Sequence, residues 1–114
     1  MITINTTSRD FNKIETYKMT MSPEIKTLKD VEDGTVIDVA GWLEFTETKE
    51  ATGEIVEILS IIDNDGNTYS CQSATFKRSF HDIDNIFEGE PYSIKKISGT
   101  TKAGRPYIDC VLFA

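Results

Sequence analysis

Residues 54–73 restrict the fold more than any other stretch. Glu-Ile-Val-Glu-Ile-Leu-Ser-Ile-Ile is followed by Asp63-Asn64-Asp65-Gly66 and then by Asn-Thr-Tyr-Ser-Cys-Gln-Ser. β-Branched residues fill the first run, Thr68 and Tyr69 fall in the last, and Asp65-Gly66 supplies the positive backbone angles of a tight hairpin turn. The stretch reads as a two-stranded ribbon. A long strand precedes it, a short helix follows, and a second hairpin ends the chain. Three strands, a helix and two strands is the order of a five-stranded OB-fold barrel, here all-β with one short helix and an N-terminal β extension.

The long strand is predicted from Thr35 to Glu47. Period two puts Ile37, Val39, Gly41, Leu43 and Phe45 on a core face and Val36, Asp38, Ala40, Trp42, Glu44 and Thr46 on the other. Gly41 marks a bend, beyond which the alternation can slip. Residues 48–53 make the first loop. Ser73 is a helix cap, and Phe76, Phe80, Ile83 and Phe87 follow at spacings of four, three and four, so they share one stripe before Gly89 stops the helix. That stripe closes the barrel bottom, with Lys77, Arg78, His81, Asp82 and Asp84 on the solvated side. Strands over 92–98 and 106–113 enclose a loop, Gly99 to Arg105, with two cations.

Residues 1–24 read as the β extension, on the alternation of Ile2 with Ile4 and of Tyr17, Met19 and Met21, ended by Ser22-Pro23. Residues 25–114 are the OB-fold domain. Within it Ile25, Leu28 and Val31 recur every third residue, as in a single helical turn or a plug over one barrel end. No run of about 18 apolar residues exists, so no membrane partner is expected. The N-terminus lacks an export signal, and a cytoplasmic protein is expected. Cys71 and Cys110 fall in strands, where reduced thiols act as small apolar side chains; a disulfide is the less favoured alternative.

Catalysis finds little material. The single histidine, His81, falls on the wet face of the helix, without the nucleophile, base and orienting group of a hydrolase or transferase site. Asp63-Asn64-Asp65-Gly66 lacks the remaining ligands of a calcium loop, Gly99 to Gly104 lacks the Lys-Ser/Thr ending of a phosphate loop, and two cysteines are too few for structural zinc. No enzyme activity, metal or cofactor is expected.

A binding surface remains. OB barrels take single strands on the faces of their second and third strands and between the loops joining strands 1 to 2 and 4 to 5. Such sites combine aromatic rings, on which bases stack, with cations that follow the phosphates. Trp42, Phe45, Tyr69, Lys95, Lys96, Lys102, Arg105 and Tyr107 fall where that plan wants them. Each also has an ordinary structural role open to it, and Lys95 and Lys96, being adjacent on a strand, cannot both face one groove. The net charge of −7 argues against a polyanion. The balance is uneven, however: residues 1–65 hold 6 Lys+Arg against 14 Asp+Glu, or −8, and residues 66–114 hold 6 against 5, or +1. The local field decides binding, and it can oppose the total.

The chain resembles the single-stranded DNA-binding proteins of small protein-primed tailed bacteriophages. The resemblance is carried by Leu28 with Asp33-Gly34-Thr35 and Val36-Ile37, by Asp65-Gly66 with Tyr69-Ser70, by Ser73-Ala74-Thr75 opening the helix, and by Gly99-Thr100 with Gly104 and Tyr107. These occur in the family's order over roughly three quarters of the chain. The resemblance implies a protein that coats displaced strands during phage genome replication without strong sequence preference, with contacting rings at Phe45 and Tyr69. The family's first-loop aromatic has no counterpart in residues 48–53, and Trp42 stands where the family tends to have an aliphatic residue.

The expectation is a non-catalytic viral protein that binds single-stranded DNA, with replication proteins as further partners, acting as a monomer or as a small homo-oligomer through the N-terminal strands. The rival is an acidic OB-fold interaction module, or DNA mimic, that occupies a protein partner. A third reading is an accessory subunit that pairs its N-terminal strands with an enzyme.

Overall fold

In the computed structural model, which describes residues 1–114, the chain forms β1 (Ile2–Thr7), α1 (Lys13–Thr20), β2 (Lys26–Thr27), a 3₁₀ turn (Leu28–Asp30), β3 (Val36–Thr48), β4 (Ile55–Asp63), β5 (Thr68–Cys71), α2 (Ala74–Phe87), β6 (Tyr92–Thr100) and β7 (Pro106–Phe113). One curled sheet runs in the order β2-β5-β4-β3-β6-β7, and β1 pairs with β3. β3 is long enough to serve both halves: Val36 to Val39 pair with β6, whereas Leu43 to Glu47 pair with β1. Only the short β2 pairs in parallel.

The central ribbon follows its sequence. β4 and β5 pair antiparallel, Ile61 opposite Tyr69 and Leu59 opposite Cys71. The turn is held by Asp63, whose Oδ1 accepts from the Asp65 and Asn67 amides, and Gly66 takes a φ of +86° that a side chain would oppose. Helix α2 also forms as read: the Ser73 hydroxyl accepts from the Phe76 amide, and Phe76 and Phe80 are fully buried.

Several expectations are corrected. Strand order through β3, β4, β5, α2, β6 and β7 matches the reading, but the sheet has seven strands, two helices rather than one, and no ladder between β5 and β7 to close a barrel. Residues 13–20 are helical where alternation suggested a strand. The Asn12 side chain and Glu15 form a reciprocal capping box, which nucleates a turn that the apolar pattern does not betray. A register shift between Val39 and Gly41 reverses the parity of β3. Trp42 therefore joins Ile37 in the main core, while Leu43 and Phe45 face the other way. A Cβ on Gly41 would lie 2.8 Å from the Phe11 ring, so the glycine admits that ring as well as the bend.

Two cores result. Leu28, Ile37, Trp42, Leu59, Ile61, Tyr69, Cys71, Phe76, Phe80, Ile94 and Cys110 fill the concave side, closed by α2. Met19, Leu43, Phe45 and Ile62 pack on the convex side beneath the N-terminal segment. Three residues read as solvated have partners: Lys77 donates to the Glu57 carbonyl at 2.8 Å, His81 Nε2 contacts Glu44 Oε1, and Asp84 accepts from the Tyr92 hydroxyl at 2.9 Å.

Candidate nucleic-acid interface

The β6–β7 hairpin carries five of the eight candidate residues, with Lys95, Lys102, Arg105 and Tyr107 at its surface and Lys96 buried. Its turn is organised by Thr101, whose amide donates to the Arg105 carbonyl, whose carbonyl accepts from Gly104, and whose Oγ1 accepts from the Arg105 amide. Gly104 has a φ of +83°, which lets the turn close with Lys102 and Arg105 pointing to solvent. Just inside it, Tyr107 stands opposite Gly99. A Cβ at position 99 would lie 2.5 Å from Tyr107 Oη and 2.7 Å from Cζ, so the ring lies across the bare glycine with 39% of the residue exposed. A ring supported on one face and open elsewhere is what base stacking uses. Alternation puts Lys95 on the same face of the ribbon, between Val36 and Val111.

Beside this hairpin, where β5 and β7 fail to pair, lies a cleft of about 830 Å³. One bank is Ser70, Cys71, Gln72 and Ser73, with Ile58 beyond; the other is Pro106, Tyr107 and Ile108; Thr27, Lys29 and Asp30 stand at one end. Hydroxyls, the Gln72 amide and the Lys29 ammonium beside Asp30 make this a hydrogen-bonding surface.

The remaining four candidates lie beneath the surface. Trp42 is 8% exposed and meets Phe80 edge-on at 6.2 Å and His81 at 4.8 Å. Phe45 is 2% exposed under the N-terminal segment, because the shift in β3 turned it to the convex side. Tyr69 packs in the main core with the Lys26 ammonium 5.6 Å above its ring, and burial raises its hydroxyl pKa. Lys96 is 3% exposed at the cleft floor, donating to the Val31 carbonyl at 2.7 Å and to Asp33 Oδ1 at 2.9 Å. Asp33 also accepts from the Ser98 hydroxyl; this bond, followed by that of Lys96, holds its carboxyl below the ordinary range. Lys96 therefore ties the segment over the barrel mouth to β6.

Burial pushes the Cys71 thiol up to about 11 and the Cys110 thiol up to about 12, and both cysteines are free. Neither bears a reactive thiolate at neutral pH.

Sequence reasoning missed Lys29, Ser70, Gln72 and Ile108 of the cleft. Only the spatial approach of β2, β5 and β7 brings them together, and no spacing along the chain encodes it. The family described as "Phage Single-stranded DNA-binding protein" matches residues 1–112. The chain belongs to that family. Phage single-stranded DNA-binding proteins are DNA-binding rather than catalytic proteins of bacteriophage DNA replication, and the resemblance drawn from residues 28–114 extends, in this match, across the N-terminal segment. Comparison with curated proteins and with solved structures gives no match. No helix of this family member is long and apolar enough to cross a membrane.

Proposed function

We propose that the protein coats single-stranded DNA during viral replication, with little sequence preference, by stacking bases on Tyr107 and leading phosphates past Lys29, Lys95, Lys102 and Arg105. The observation that supports this most is the placing of Tyr107 over Gly99 at the mouth of the cleft, next to the two cations of the turn. Trp42, Phe45, Tyr69 and Lys96 act from below, holding β3, β5 and the barrel-mouth segment that shape the groove. In this reading residues 25–114 are an OB-fold domain with an open seam, and residues 1–24 are an extension laid over its convex face. Replication proteins are its further partners and the host-cell cytoplasm its place of action, as a monomer or a small homo-oligomer through the N-terminal strands.

Titration of labelled oligo-dT at low and moderate salt tests the proposal. Wild type binds, and Tyr107→Ala binds about fivefold to a hundredfold more weakly, the loss that corresponds to one stacked base. Wild-type affinity in Tyr107→Ala would remove the platform. The acidic first 65 residues favour the rival of a carboxylate-rich module that fills a partner protein's site, and the same titration decides against it if oligo-dT binds.

A further inference from the structure

We infer that the cleft reads the Watson–Crick edge of one unpaired base through the main chain of Ile108, an inference that rests on the single-strand binding proposed above. The orientation of β7 carries the argument. In an antiparallel ladder, main-chain groups of successive residues point alternately toward and away from the partner strand. The Lys96 amide donates to the Thr35 carbonyl at 2.9 Å, and its carbonyl accepts from Gly34 at 2.7 Å, so its main chain is turned away from β7. Cys110, opposite Lys96, is correspondingly turned away from β6. Its amide donates instead to Asp109 Oδ1 at 2.8 Å.

Ile108, two residues earlier, has the orientation of Cys110, so its N–H and C=O point into the cleft that it lines. Two residues earlier again stands Pro106, which has no N–H to offer. The β7 bank thus presents one donor and acceptor pair at Ile108, between an edge position without a donor and one whose donor is already bonded. The Ile108 side chain packs against the main core, and its main-chain groups at the sheet edge are left for an outside partner. The far bank adds Ser70, Gln72 and Ser73, and the Tyr107 ring borders the same opening.

A donor beside an acceptor is what the Watson–Crick edge of every base can answer. Thymine offers N3–H with O4, cytosine the 4-amino group with N3, adenine the 6-amino group with N1, and guanine N1–H with O6. One Ile108 pair can therefore accept any base. In a duplex those atoms are engaged by the opposite strand, so the contact selects unpaired DNA and leaves its sequence unread. Charge and stacking alone do not provide that selection, because a duplex also carries phosphates and a terminal π-face.

The test compares oligo-dT with an oligomer of N3-methylthymidine of equal length at low salt. The methyl group removes the N3–H donor and keeps the phosphates and the stacking face. The methylated oligomer binds about tenfold or more weakly, as expected for a lost hydrogen bond and a blocked edge, and oligo-dT, but not its methylated form, slows hydrogen exchange at the Ile108 amide. Equal affinity for the two oligomers, or an Ile108 amide unaffected by oligo-dT, overturns the inference while leaving single-strand binding in place. Failure of oligo-dT itself to bind removes both.

Discussion

Lys96 shows how one side chain's role depends on neighbours far away in sequence. Its type and strand position suit a phosphate contact, yet its ammonium ends on the Val31 carbonyl and the Asp33 carboxylate. Lys96→Met is expected to lower stability by about 1.5–3 kcal/mol, the range for charge-assisted hydrogen bonds, measured by urea unfolding. Asp33 sets the pH dependence. Its carboxyl is depressed by the Ser98 hydroxyl first and Lys96 second, so its contribution is complete above the ordinary carboxylate pKa and is lost as pH falls through the depressed value. Melting curves of wild type and Asp33→Asn should differ at neutral pH and converge in acid. Ser60 presents the opposite case, being fully buried with a hydroxyl that has no partner. Ser60→Ala should be neutral or stabilising by up to about 1 kcal/mol, because it removes an uncompensated polar group.

Among the elements, those governed by local chemistry were legible. The Ser73 cap and the Phe76-Phe80 stripe each act within a few residues and formed as read, and the hairpin formed at Asp65-Gly66 with Gly66 alone, not Asp65, at positive φ. β3 was legible only up to its bend, because the shift between Val39 and Gly41 exchanges the faces of Trp42 and Phe45. α1 was missed because it exposes Ile14 and Tyr17, with Met21 exposed at its C-cap, which conceals the inward-facing Met19. Of the candidate site, the exposure of the loop cations and Tyr107 could be read from a glycine-bounded hairpin, whereas the cleft depends on strands meeting across the fold. Met19→Ala should cost about 2–5 kcal/mol, as for other large core truncations. Gly99→Val should weaken oligonucleotide binding with Tyr107 still present, because the new side chain displaces the ring from its seat. Unchanged binding in a folded Gly99→Val protein would show that the ring's position is immaterial.

For the whole molecule, the issue is how a chain of charge −7 engages a polyanion. In the proposed path a strand passes Lys29, Lys95, Lys102 and Arg105, while carboxylates more than a Debye length of about 8 Å away are screened. With about four phosphates neutralised, by Lys29, Lys95, Lys102 and Arg105, log K should fall with log salt at a slope of about −2.8. Removing both turn cations in Lys102→Ala/Arg105→Ala should bring that slope to about −1.4.

The carboxylate of Asp109, folded back on the Cys110 amide, has a meaning at this scale as well. In the proposed coating, molecules crowded side by side on one strand of DNA would bring their sheet borders into repeated collision, and bare borders would knit into fibrils. A proline at one rung and a borrowed carboxylate at another leave too few consecutive donors for such stitching, so crowding on the lattice need not end in precipitation.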